Sequence, residues 1–327
     1  MLSKIFSFLI LTVMYSNTVL ADAKLFSQSQ AVQNFINTMV TEHQFKREEL
    51  QAVFNNTELH QSILDAISRP AESKPWHEYR PIFVTDARAQ GGVTFWNTYE
   101  RELQRASEMY GIPIEIIIAI IGVETRYGKH AGKYSVLNAL STLAFAYPPR
   151  SKFFRKELMH YLLMTREEGI KPGEQLGSYA GAMGMPQFMP SSFRSYAVDF
   201  NNNGKRDIWN TPADAIGSVA NYFKRHHWVP GQAITTQVKV HGHLYQALLE
   251  NGIKPGFSYA ELTGQGVIFP QDAPRDLMGS LIEYVGKDGP EYWVGWNNFY
   301  VISRYNHSAL YSLSVYQLAE RIKQLRK

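Results

Sequence analysis

The chain has 327 residues, of which 45% are hydrophobic, 13% aromatic and 19% charged. This composition excludes an intrinsically disordered protein, and a chain of about 300 residues usually forms more than one domain. The formal net charge is +4, and the lysines and arginines are scattered along the chain. Because they form no basic run, we expect no nucleic-acid partner.

The first segment predicts export. Lys4 precedes the apolar stretch from Ile5 to Tyr15, and Val-Leu-Ala at 19–21 offers a small-residue cleavage site. The stretch is shorter than the roughly 20 apolar residues that a membrane span needs. We predict a signal peptide over residues 1–21 and a periplasmic protein, with an uncleaved N-terminal anchor as the alternative. The chain has no cysteine, so we expect neither a disulfide nor a lipid anchor.

Residues 22–93 are predicted to form an N-terminal α domain. Apolar residues recur at the spacing of a helical face from Ser27 to Ser68. Prolines then interrupt the pattern, and we expect a more extended stretch from Pro75 to Val93.

Residues 94–230 are predicted to form an almost wholly helical core that includes the loop described below. Glycine and proline breaks separate its helical segments, which we expect at roughly 95–110, 113–126, 135–145, 151–168 and 212–226.

Residues 231–306 are predicted to form a small antiparallel β domain. Thr235 to Val240 alternates as a strand does, and two further strands are expected at Gly279–Val285 and Tyr292–Ser303. The final residues, 307–327, are expected to form a helix that packs back on the core. The predicted fold class is therefore mainly α, with a small β part (α+β).

Glu124 closes the run Ile116–Val123, which contains no polar side chain. Pro113 suits the first turn of a helix and Gly128 suits its C-terminal cap, so we expect the helix to end at Glu124 to Tyr127. Burial and the negative end of the helix dipole both raise the pKa of a carboxyl group. A carboxyl group that stays protonated near neutral pH is what a general acid needs. The alternative is an exposed glutamate on the last turn of a core helix.

A second motif runs from Ser178 to Pro190 and is rich in small residues, which let the backbone approach a helix or a ligand closely. The Ser178 hydroxyl and the Gln187 amide can hold a carboxyl group or a sugar substituent. Beside Glu124, the motif predicts the opposite wall of a cleft. The alternative is a tight turn between buried helices.

A third segment has the spacing of an EF-hand calcium loop. Oxygen side chains stand at positions 1, 3, 5 and 9, with glycine at position 6: Asp199, Asn201, Asn203, Asp207 and Gly204. Position 12 is an asparagine, so the usual bidentate glutamate is absent. The alternative is a metal-free turn before a helix.

Four segments carry a resemblance to a known family: Glu-Thr-Arg-Tyr-Gly (124–128), Ser-Tyr-Ala-Gly-Ala-Met-Gly-Met-Pro-Gln-Phe-Met-Pro-Ser-Ser (178–192), Ala-Asp-Ala-Ile-Gly-Ser-Val-Ala-Asn-Tyr-Phe (213–223) and Tyr-Asn-His-Ser (305–308). They resemble lytic murein transglycosylases of the B type, from about residue 30 to the end. The resemblance implies a lysozyme-like helical core with an additional α domain and a small β domain. It also implies cleavage of the β-1,4 bond between N-acetylmuramic acid and N-acetylglucosamine, leaving a 1,6-anhydro sugar.

The resemblance also implies roles for single residues. Glu124 matches the single catalytic acid/base, and Ser178 matches the hydroxyl that orients it. The positions in or near the glycan cleft are Tyr127, Met183, Gln187, Tyr222, Tyr305, Asn306 and Tyr311. The family commonly has Pro-Arg-Arg where this chain has Pro148-Pro149-Arg150, so one of two basic contacts is missing.

For the loop, the resemblance implies that Asp214 supplies the closing carboxylate from the next helix. The implied calcium ligands are then Asp199, Asn201, Asn203, the Lys205 carbonyl and Asp214.

No second acidic residue lies in the motifs of Glu124 and Ser178, whereas most glycosidases need two carboxylates. One suffices if the sugar's own C6 hydroxyl is the nucleophile, because a tethered group gains the advantage of an intramolecular reaction. We expect no cofactor for the chemistry, a structural Ca²⁺, peptidoglycan glycan strands as the partner, complexes with other cell-wall enzymes and a monomer. The alternatives are a peptidoglycan hydrolase (muramidase), a non-catalytic peptidoglycan-binding module and a calcium-stabilised interaction protein.

Overall fold

The computed structural model describes residues 26–68 and 74–327, and the predicted signal peptide lies outside them. The helices are α1 (Gln30–His43), α2 (Arg47–Asn55), α3 (Gln61–Ile67), α4 (Trp76–Phe83), α5 (Asp86–Thr98), α6 (Glu100–Tyr110), α7 (Ile114–Thr125), α8 (Val136–Ala146), α9 (Ser151–Glu168), α10 (Pro190–Tyr196), α11 (Pro212–Arg225), α12 (Gln246–Leu249), α13 (Tyr259–Gly264), α14 (Asn297–Asn306) and α15 (Ala309–Arg326). The strands are β1 (Tyr134–Ser135), β2 (Leu176–Gly177), β3 (Thr235–Val240), β4 (Val267–Ile268), β5 (Ser280–Val285) and β6 (Pro290–Gly295). The prediction of a mainly α protein with a small antiparallel β part is confirmed.

The described residues form two compact units, each built from segments distant in the sequence. The first unit comprises residues 26–68, 132–183 and 188–194. Helix α8 packs between α9 and α3. An apolar cluster of aromatic rings packs edge to face at centroid distances of 5.6–6.4 Å: Phe26, Phe35, Phe54 and Phe145. Edge-to-face packing of these rings adds to the hydrophobic stabilisation of this unit.

The second unit comprises residues 74–131, 184–187 and 195–327. Helix α7 lies at its centre, in contact with α15, α5, α11 and α6. The apolar run makes this placement necessary, because a helix that is apolar on all sides is stable only when it is covered on all sides.

A four-stranded antiparallel sheet in the second unit has the strand order β4-β3-β6-β5. Its register pairs Thr235 with Gly295 and Leu281 with Val294. Buried Val294 and Trp296 belong to the core on one side of this sheet. The predicted strand Thr235–Val240 is confirmed without change, and the strand predicted from Gly279 begins one residue later.

The expectation of an extended stretch from Pro75 to Val93 is wrong, because α4 and most of α5 occupy it. Pro75 directly precedes α4, and the Thr85 hydroxyl caps α5 by accepting a hydrogen bond from the Arg88 N–H at 3.1 Å. Both are ordinary N-terminal helix signals. The expectation followed the prolines that interrupt the helical pattern, but Pro75 lies at the start of α4 and Pro81 lies inside it.

The predicted strand Tyr292–Ser303 is correct only for its first part. Strand β6 ends at Gly295 and α14 begins at Asn297. The buried Asn298 side chain accepts a hydrogen bond from the Val229 N–H at 2.9 Å and donates one to the Val229 carbonyl at 2.8 Å. This tertiary contact holds the first turn of α14, and no local pattern in the sequence encodes it.

Among the described residues, no single helix is long and apolar enough to cross a membrane. Helices α6 and α7 together are long and apolar enough, but they are bent by 114° at the break between them.

Candidate active site

Helix α7 carries Glu124 near its C-terminal end. Pro113 directly precedes its first residue, and the side chains from Ile116 to Ile121 are at most 1% exposed. Each buried isoleucine stabilises the fold by about 1.5–3 kcal/mol relative to an exposed one. The main chain that presents Glu124 is therefore held by the core of the second unit.

The chain turns sharply after α7. Arg126 and Tyr127 have φ angles of 51° and 63°, ahead of Gly128 at 86°. The left-handed conformation thus begins two residues before the predicted glycine cap. Each non-glycine residue in this conformation raises the free energy of the folded state by about 1–2 kcal/mol. The Thr125 hydroxyl holds the turn, accepting from the Gly128 N–H at 3.0 Å and donating to the Met185 carbonyl at 2.9 Å. Backbone strain of this kind concentrates at functional sites.

The Glu124 carboxyl group accepts a short hydrogen bond. The Tyr311 hydroxyl donates to its Oε1 at 2.6 Å. Burial raises the pKa of Glu124 to about 7, while the hydrogen bond from Tyr311 acts in the opposite direction. Burial outweighs the bond because the charged form loses more hydration than one donor replaces. The direction of the pKa shift predicted from the sequence is confirmed, and an exposed glutamate does not fit this environment.

Tyr311 is held by the start of α15. The Ser308 hydroxyl caps that helix by accepting a hydrogen bond from the Tyr311 N–H at 3.3 Å. The Tyr311 ring is 2% exposed and stacks on Tyr305, with 6.3 Å between centroids and 10° between planes. The Tyr305 hydroxyl donates in turn to the Pro186 carbonyl at 2.6 Å. The cap and the stacked ring support Tyr311 in the position from which its hydroxyl donates to Glu124.

Tyr222 extends this row of rings. Its centroid lies 4.8 Å from that of Tyr305, and it stacks on His226 at 4.0 Å. The Tyr222 hydroxyl donates to a main-chain carbonyl of α14 at 2.6 Å. Asn306 is exposed at the end of α14. The structure therefore brings Tyr222 and Tyr305 into one row with Tyr311.

Gln187 belongs to the short segment 184–187 of the second unit. Its φ is 52°, and its side-chain amide donates to the Gly184 carbonyl at 2.9 Å and to the Ala131 carbonyl at 3.1 Å. These bonds fix the amide group, so its oxygen is the atom that can accept a hydrogen bond from a sugar hydroxyl.

Tyr127 packs against α5 and α7. Its hydroxyl donates to the Arg88 carbonyl at 2.7 Å. A Cβ atom added at Gly91, Gly92 or Gly122 would lie 2.6–2.8 Å from Tyr127 side-chain atoms, so these glycines are required by its approach. Tyr127 therefore holds the turn after α7, and its contact with a glycan remains a prediction.

Ser178 and Met183 belong to the first unit. The Ser178 hydroxyl accepts hydrogen bonds from the N–H groups two and four residues on, at 3.2 and 3.0 Å. Met183 is fully buried and exchanges two main-chain hydrogen bonds with Phe188. Ser178 thus organises its own turn, which the tight-turn interpretation predicts. Its role toward Glu124, and a contact of Met183 with substrate, remain predictions.

The loop from residue 199 to 210 directs its oxygen side chains at its own main chain. The Asp199 carboxylate accepts from the N–H groups of Asn203 and the following glycine, at 3.0 and 2.7 Å. The Asn201 side chain also accepts from the Asn203 N–H at 3.1 Å, and Asn203 accepts from the Lys205 N–H at 3.0 Å. These local bonds hold four oxygens of three side chains along one short loop.

Asp214, in the first turn of α11, is fully buried and closes the loop. One oxygen accepts from the Phe200 N–H at 2.8 Å and the other from the Asp207 N–H at 2.9 Å. Burial raises the pKa of Asp214, and these backbone bonds oppose the shift. Carboxylate and amide oxygens are the hard ligands that calcium prefers. Among the described residues no cluster of three or more His, Cys, Asp or Glu could hold a metal, so a cation here needs the amide and carbonyl oxygens as well.

Comparisons with known proteins identify the family of this chain. The family "Transglycosylase SLT domain" matches residues 27–320. The chain belongs to this family of transglycosylases. It is 43% identical to the membrane-bound lytic murein transglycosylase B of Escherichia coli over 307 residues, covering 91% of this chain and 84% of the relative.

Solved structures of lytic transglycosylases share the fold of this SLT transglycosylase. The soluble lytic transglycosylase SltB1 of Pseudomonas aeruginosa has a TM-score of 0.86 and 50% identity, covering 90% of this chain and 98% of its own. The Escherichia coli lytic transglycosylase Slt35, solved in complex with calcium, has a TM-score of 0.83 and 41% identity, with coverages of 92% and 95%. SltB3 of Pseudomonas aeruginosa, solved with NAG-anhNAM-pentapeptide, has a TM-score of 0.78 and 29% identity, with coverages of 88% and 77%. The lysozyme-like fold expected from the sequence is confirmed.

Sequence reasoning missed two contacts of this SLT transglycosylase. It placed Tyr311 in the glycan cleft but did not predict that the Tyr311 hydroxyl donates a hydrogen bond to Glu124. It also overlooked Thr125, whose hydroxyl holds the turn after α7. The serine cap three residues before Tyr311 was the available signal for its position. No signal in the sequence connects it with α7.

Proposed function

We propose that this lytic transglycosylase cleaves the β-1,4 bond between N-acetylmuramic acid and N-acetylglucosamine in peptidoglycan, with Glu124 as the single acid/base. The observation that carries the proposal is the environment of Glu124, whose pKa is about 7 and whose Oε1 accepts from Tyr311. At neutral pH both forms of such a carboxyl group are populated, so it can donate a proton in one step and accept one in the next. Relatives named lytic transglycosylases support the substrate class.

In the first step, protonated Glu124 donates its proton to the glycosidic oxygen while the bond from that oxygen to C1 of the muramic acid breaks. The N-acetyl group of the sugar stabilises the oxocarbenium-like centre at C1. The hydrogen bond from Tyr311 favours the ionised carboxylate, so it stabilises the form that Glu124 reaches as the proton leaves.

In the second step, the C6 hydroxyl of the same muramic acid attacks C1. The new bond joins O6 and C1, and the hydroxyl proton passes to Glu124, which restores its starting form. No water is consumed. The C6 hydroxyl is already tethered to the reacting ring, so it competes with water through its effective molarity.

A hydrolase that uses two carboxylates is the second candidate. Its carboxyl groups would lie about 5–5.5 Å apart for retention or about 6.5–9.5 Å for inversion. A second carboxylate that close would raise the pKa of Glu124 by charge repulsion. Burial and the hydrogen bond from Tyr311 are what shift the pKa of Glu124. No carboxylate of the described residues contributes to this shift. This observation favours the intramolecular reaction.

The glycan strand is proposed to run along the aromatic row in the second unit, because sugar rings pack on the faces of aromatic side chains. The residues proposed to contact it are Tyr127, Met183, Gln187, Tyr222, Tyr305, Asn306 and Tyr311, and Ser178 is proposed to orient Glu124. The complex of SltB3 with NAG-anhNAM-pentapeptide supports a ligand of this class.

The loop is proposed to bind a structural calcium ion through Asp199, Asn201, Asn203, the Lys205 carbonyl and Asp214. The oxygen ligands and the inward placement of the Asp214 carboxylate support this proposal. The complex of Slt35 with calcium supports it further. No catalytic step is assigned to the ion.

A periplasmic location after export by residues 1–21 is part of the proposal, since peptidoglycan lies outside the inner membrane. Complexes with other cell-wall enzymes and a monomeric state also remain proposals.

Mass spectrometry of the products from purified sacculi tests the proposed reaction. We expect muropeptides with 1,6-anhydro ends, which are lighter by one water molecule than the reducing ends that a hydrolase leaves. Reducing ends alone would establish hydrolysis instead, and no soluble product would indicate a binding module.

A further inference from the structure

A cavity of about 450 Å³ opens on the second unit beside the turn that follows Glu124. Four basic side chains line it, together with an apolar wall and no acidic residue. The basic residues are Arg88, Arg126, Lys129 and His130, and the apolar wall includes Pro81, Ile82 and Ala87. A cavity of this size is within the range of sites for small ligands.

Arg88 is the unusual member of this group because its side chain is only 9% exposed. Its Nη1 is buried and has no hydrogen-bond partner among the described residues. The guanidinium group lies over the Phe83 ring, with its carbon 5.2 Å from the centroid. Burial lowers the pKa of Arg88, and the charge of Arg126 lowers it further. A buried guanidinium nitrogen without an acceptor is unfavourable in free energy, so an oxygen acceptor in the cavity that bonds Nη1 would stabilise the protein.

The nearby carboxylate of Asp86 does not neutralise the charge of Arg88. Asp86 is two residues from Arg88 but accepts a hydrogen bond from Arg321 at 2.9 Å, on a different face of α5. The turn after α7 adds Arg126 and Lys129, which are exposed. The cavity therefore has an unbalanced positive charge. The Arg88 guanidinium is held in place by burial, whereas the exposed side chains of Arg126 and Lys129 can change conformation.

The apolar wall indicates which class of anion would fit the cavity. Ile82 is 43% exposed at the rim, and the Tyr127 ring forms part of the lining. A bare phosphate would leave this wall without a contact. A peptide with small apolar side chains and more than one carboxylate would use both the wall and the cations.

We propose that this cavity binds an acidic peptide, with one carboxylate paired to Arg88 and a second near Arg126 and Lys129. The proposal deepens the proposed function, because the peptide in question is the one attached to the glycan substrate. The site would hold that peptide beside the turn that follows the catalytic glutamate.

The experiment titrates the wild-type protein with the free pentapeptide of peptidoglycan by isothermal calorimetry. This peptide has no glycosidic bond, so binding is measured without turnover. We expect the Arg126→Gln/Lys129→Gln pair to weaken binding roughly three- to tenfold, as the loss of two exposed charges does. Arg88→Met should weaken it by more than tenfold, as the loss of a buried charge partner does. Lys239→Gln is the matched control, because Lys239 is exposed on β3 and does not line the cavity.

Two further measurements separate binding from a structural role. The melting temperature of Arg88→Met should be unchanged or higher, since the variant removes an unpaired buried charge. The same peptide with amidated carboxyl groups should bind at least tenfold more weakly than the free peptide. If Arg88→Met fails to fold, the Arg126→Gln/Lys129→Gln variant tests the proposal on its own.

Several outcomes would overturn the proposal. They are no binding of the free peptide, equal affinity for the amidated peptide, equal affinity in all variants, or tighter binding of inorganic phosphate than of the peptide. The last result would make the cavity a site for simple anions. Peptide binding that depends on Arg88, in a protein whose products lack 1,6-anhydro ends, would leave the site standing and remove the proposed reaction. Products with 1,6-anhydro ends, from a protein that does not bind the peptide, would support the proposed reaction and contradict the peptide site.

Discussion

The Tyr311 hydroxyl donates to Glu124 Oε1 at 2.6 Å across 187 positions of sequence. The two residues lie at opposite ends of their helices, Glu124 near the end of α7 and Tyr311 in the first turn of α15. Burial raises the pKa of this carboxyl group and the hydroxyl restrains the rise. The balance between the two sets a pKa of about 7, which suits a group that gives and takes a proton at neutral pH.

Tyr311→Phe should therefore raise the pKa of Glu124 further. A hydrogen bond to a charged group stabilises it by about 1.5–3 kcal/mol, which corresponds to roughly one to two pKa units. Peptidoglycan digestion at pH 6 should fall roughly tenfold, because a less acidic carboxyl group donates its proton less readily. The alkaline limb of the pH-rate profile should move upward by about one unit or more.

Tyr284→Phe is the control for that variant. Its ring is 2% exposed and its hydroxyl donates to the Ala309 carbonyl at 3.0 Å, so it loses a comparable buried hydrogen bond near the start of α15. We expect a lower melting temperature and an unshifted pH-rate profile. A profile that is the same in Tyr311→Phe and the wild type would contradict the assigned role of Tyr311.

Glu124→Gln should abolish digestion of sacculi while the fold remains intact, because the amide keeps the shape but cannot exchange a proton. The variant also has a stability signature. The pKa of Glu124 is about 7 in the folded state and 4.5 in the reference state, so the unfolded chain releases the proton at lower pH. The wild type should therefore lose stability as the pH rises from about 4.5 to 7, in total on the order of 3 kcal/mol.

Chemical denaturation of both proteins at pH 4.5 and pH 8 measures this difference. Glu124→Gln lacks the titrating group, so its advantage over the wild type should grow with pH. A constant difference between the two proteins would mean that the carboxyl group is not desolvated. Substantial turnover by the variant would remove Glu124 from the acid/base role.

Much of this site was predictable because its signals are local. An apolar run of eight residues that ends in Glu124 predicts both a buried helix and a raised pKa, and the structure has both. The loop spacing from Asp199 to Asp207 likewise depends on neighbours in the sequence. The missed first turn of α14 was set by a contact between distant segments, because it depends on Asn298 binding the main chain at Val229. The partnership of Tyr311 with Glu124 is of the same kind.

Ser178→Ala should reduce turnover without eliminating it, because the hydroxyl is proposed to orient Glu124 and transfers no proton. The same hydroxyl accepts two main-chain hydrogen bonds within its own turn. Their loss should lower stability by about 1–3 kcal/mol, so the melting temperature must be measured beside the rate. Lower stability with a wild-type rate below the melting transition would restrict Ser178 to its turn. A loss of rate as complete as that of Glu124→Gln would make it more than an orienting group.

Calcium should stabilise this protein without taking part in its chemistry. A ligand that binds only the native state raises stability by mass action, so the melting temperature should rise with millimolar calcium and fall with chelator. Asp199→Ala should erase the difference, since it removes a proposed ligand and the acceptor of two loop N–H bonds. Asp272→Ala is the matched control, because Asp272 is an exposed acid outside the loop. Digestion well below the melting transition should change little on chelation, because the proposed ligands do not include Glu124 or Tyr311. Melting curves that coincide with and without calcium would favour a metal-free turn, and activity lost on chelation from a folded protein would assign the ion a catalytic role.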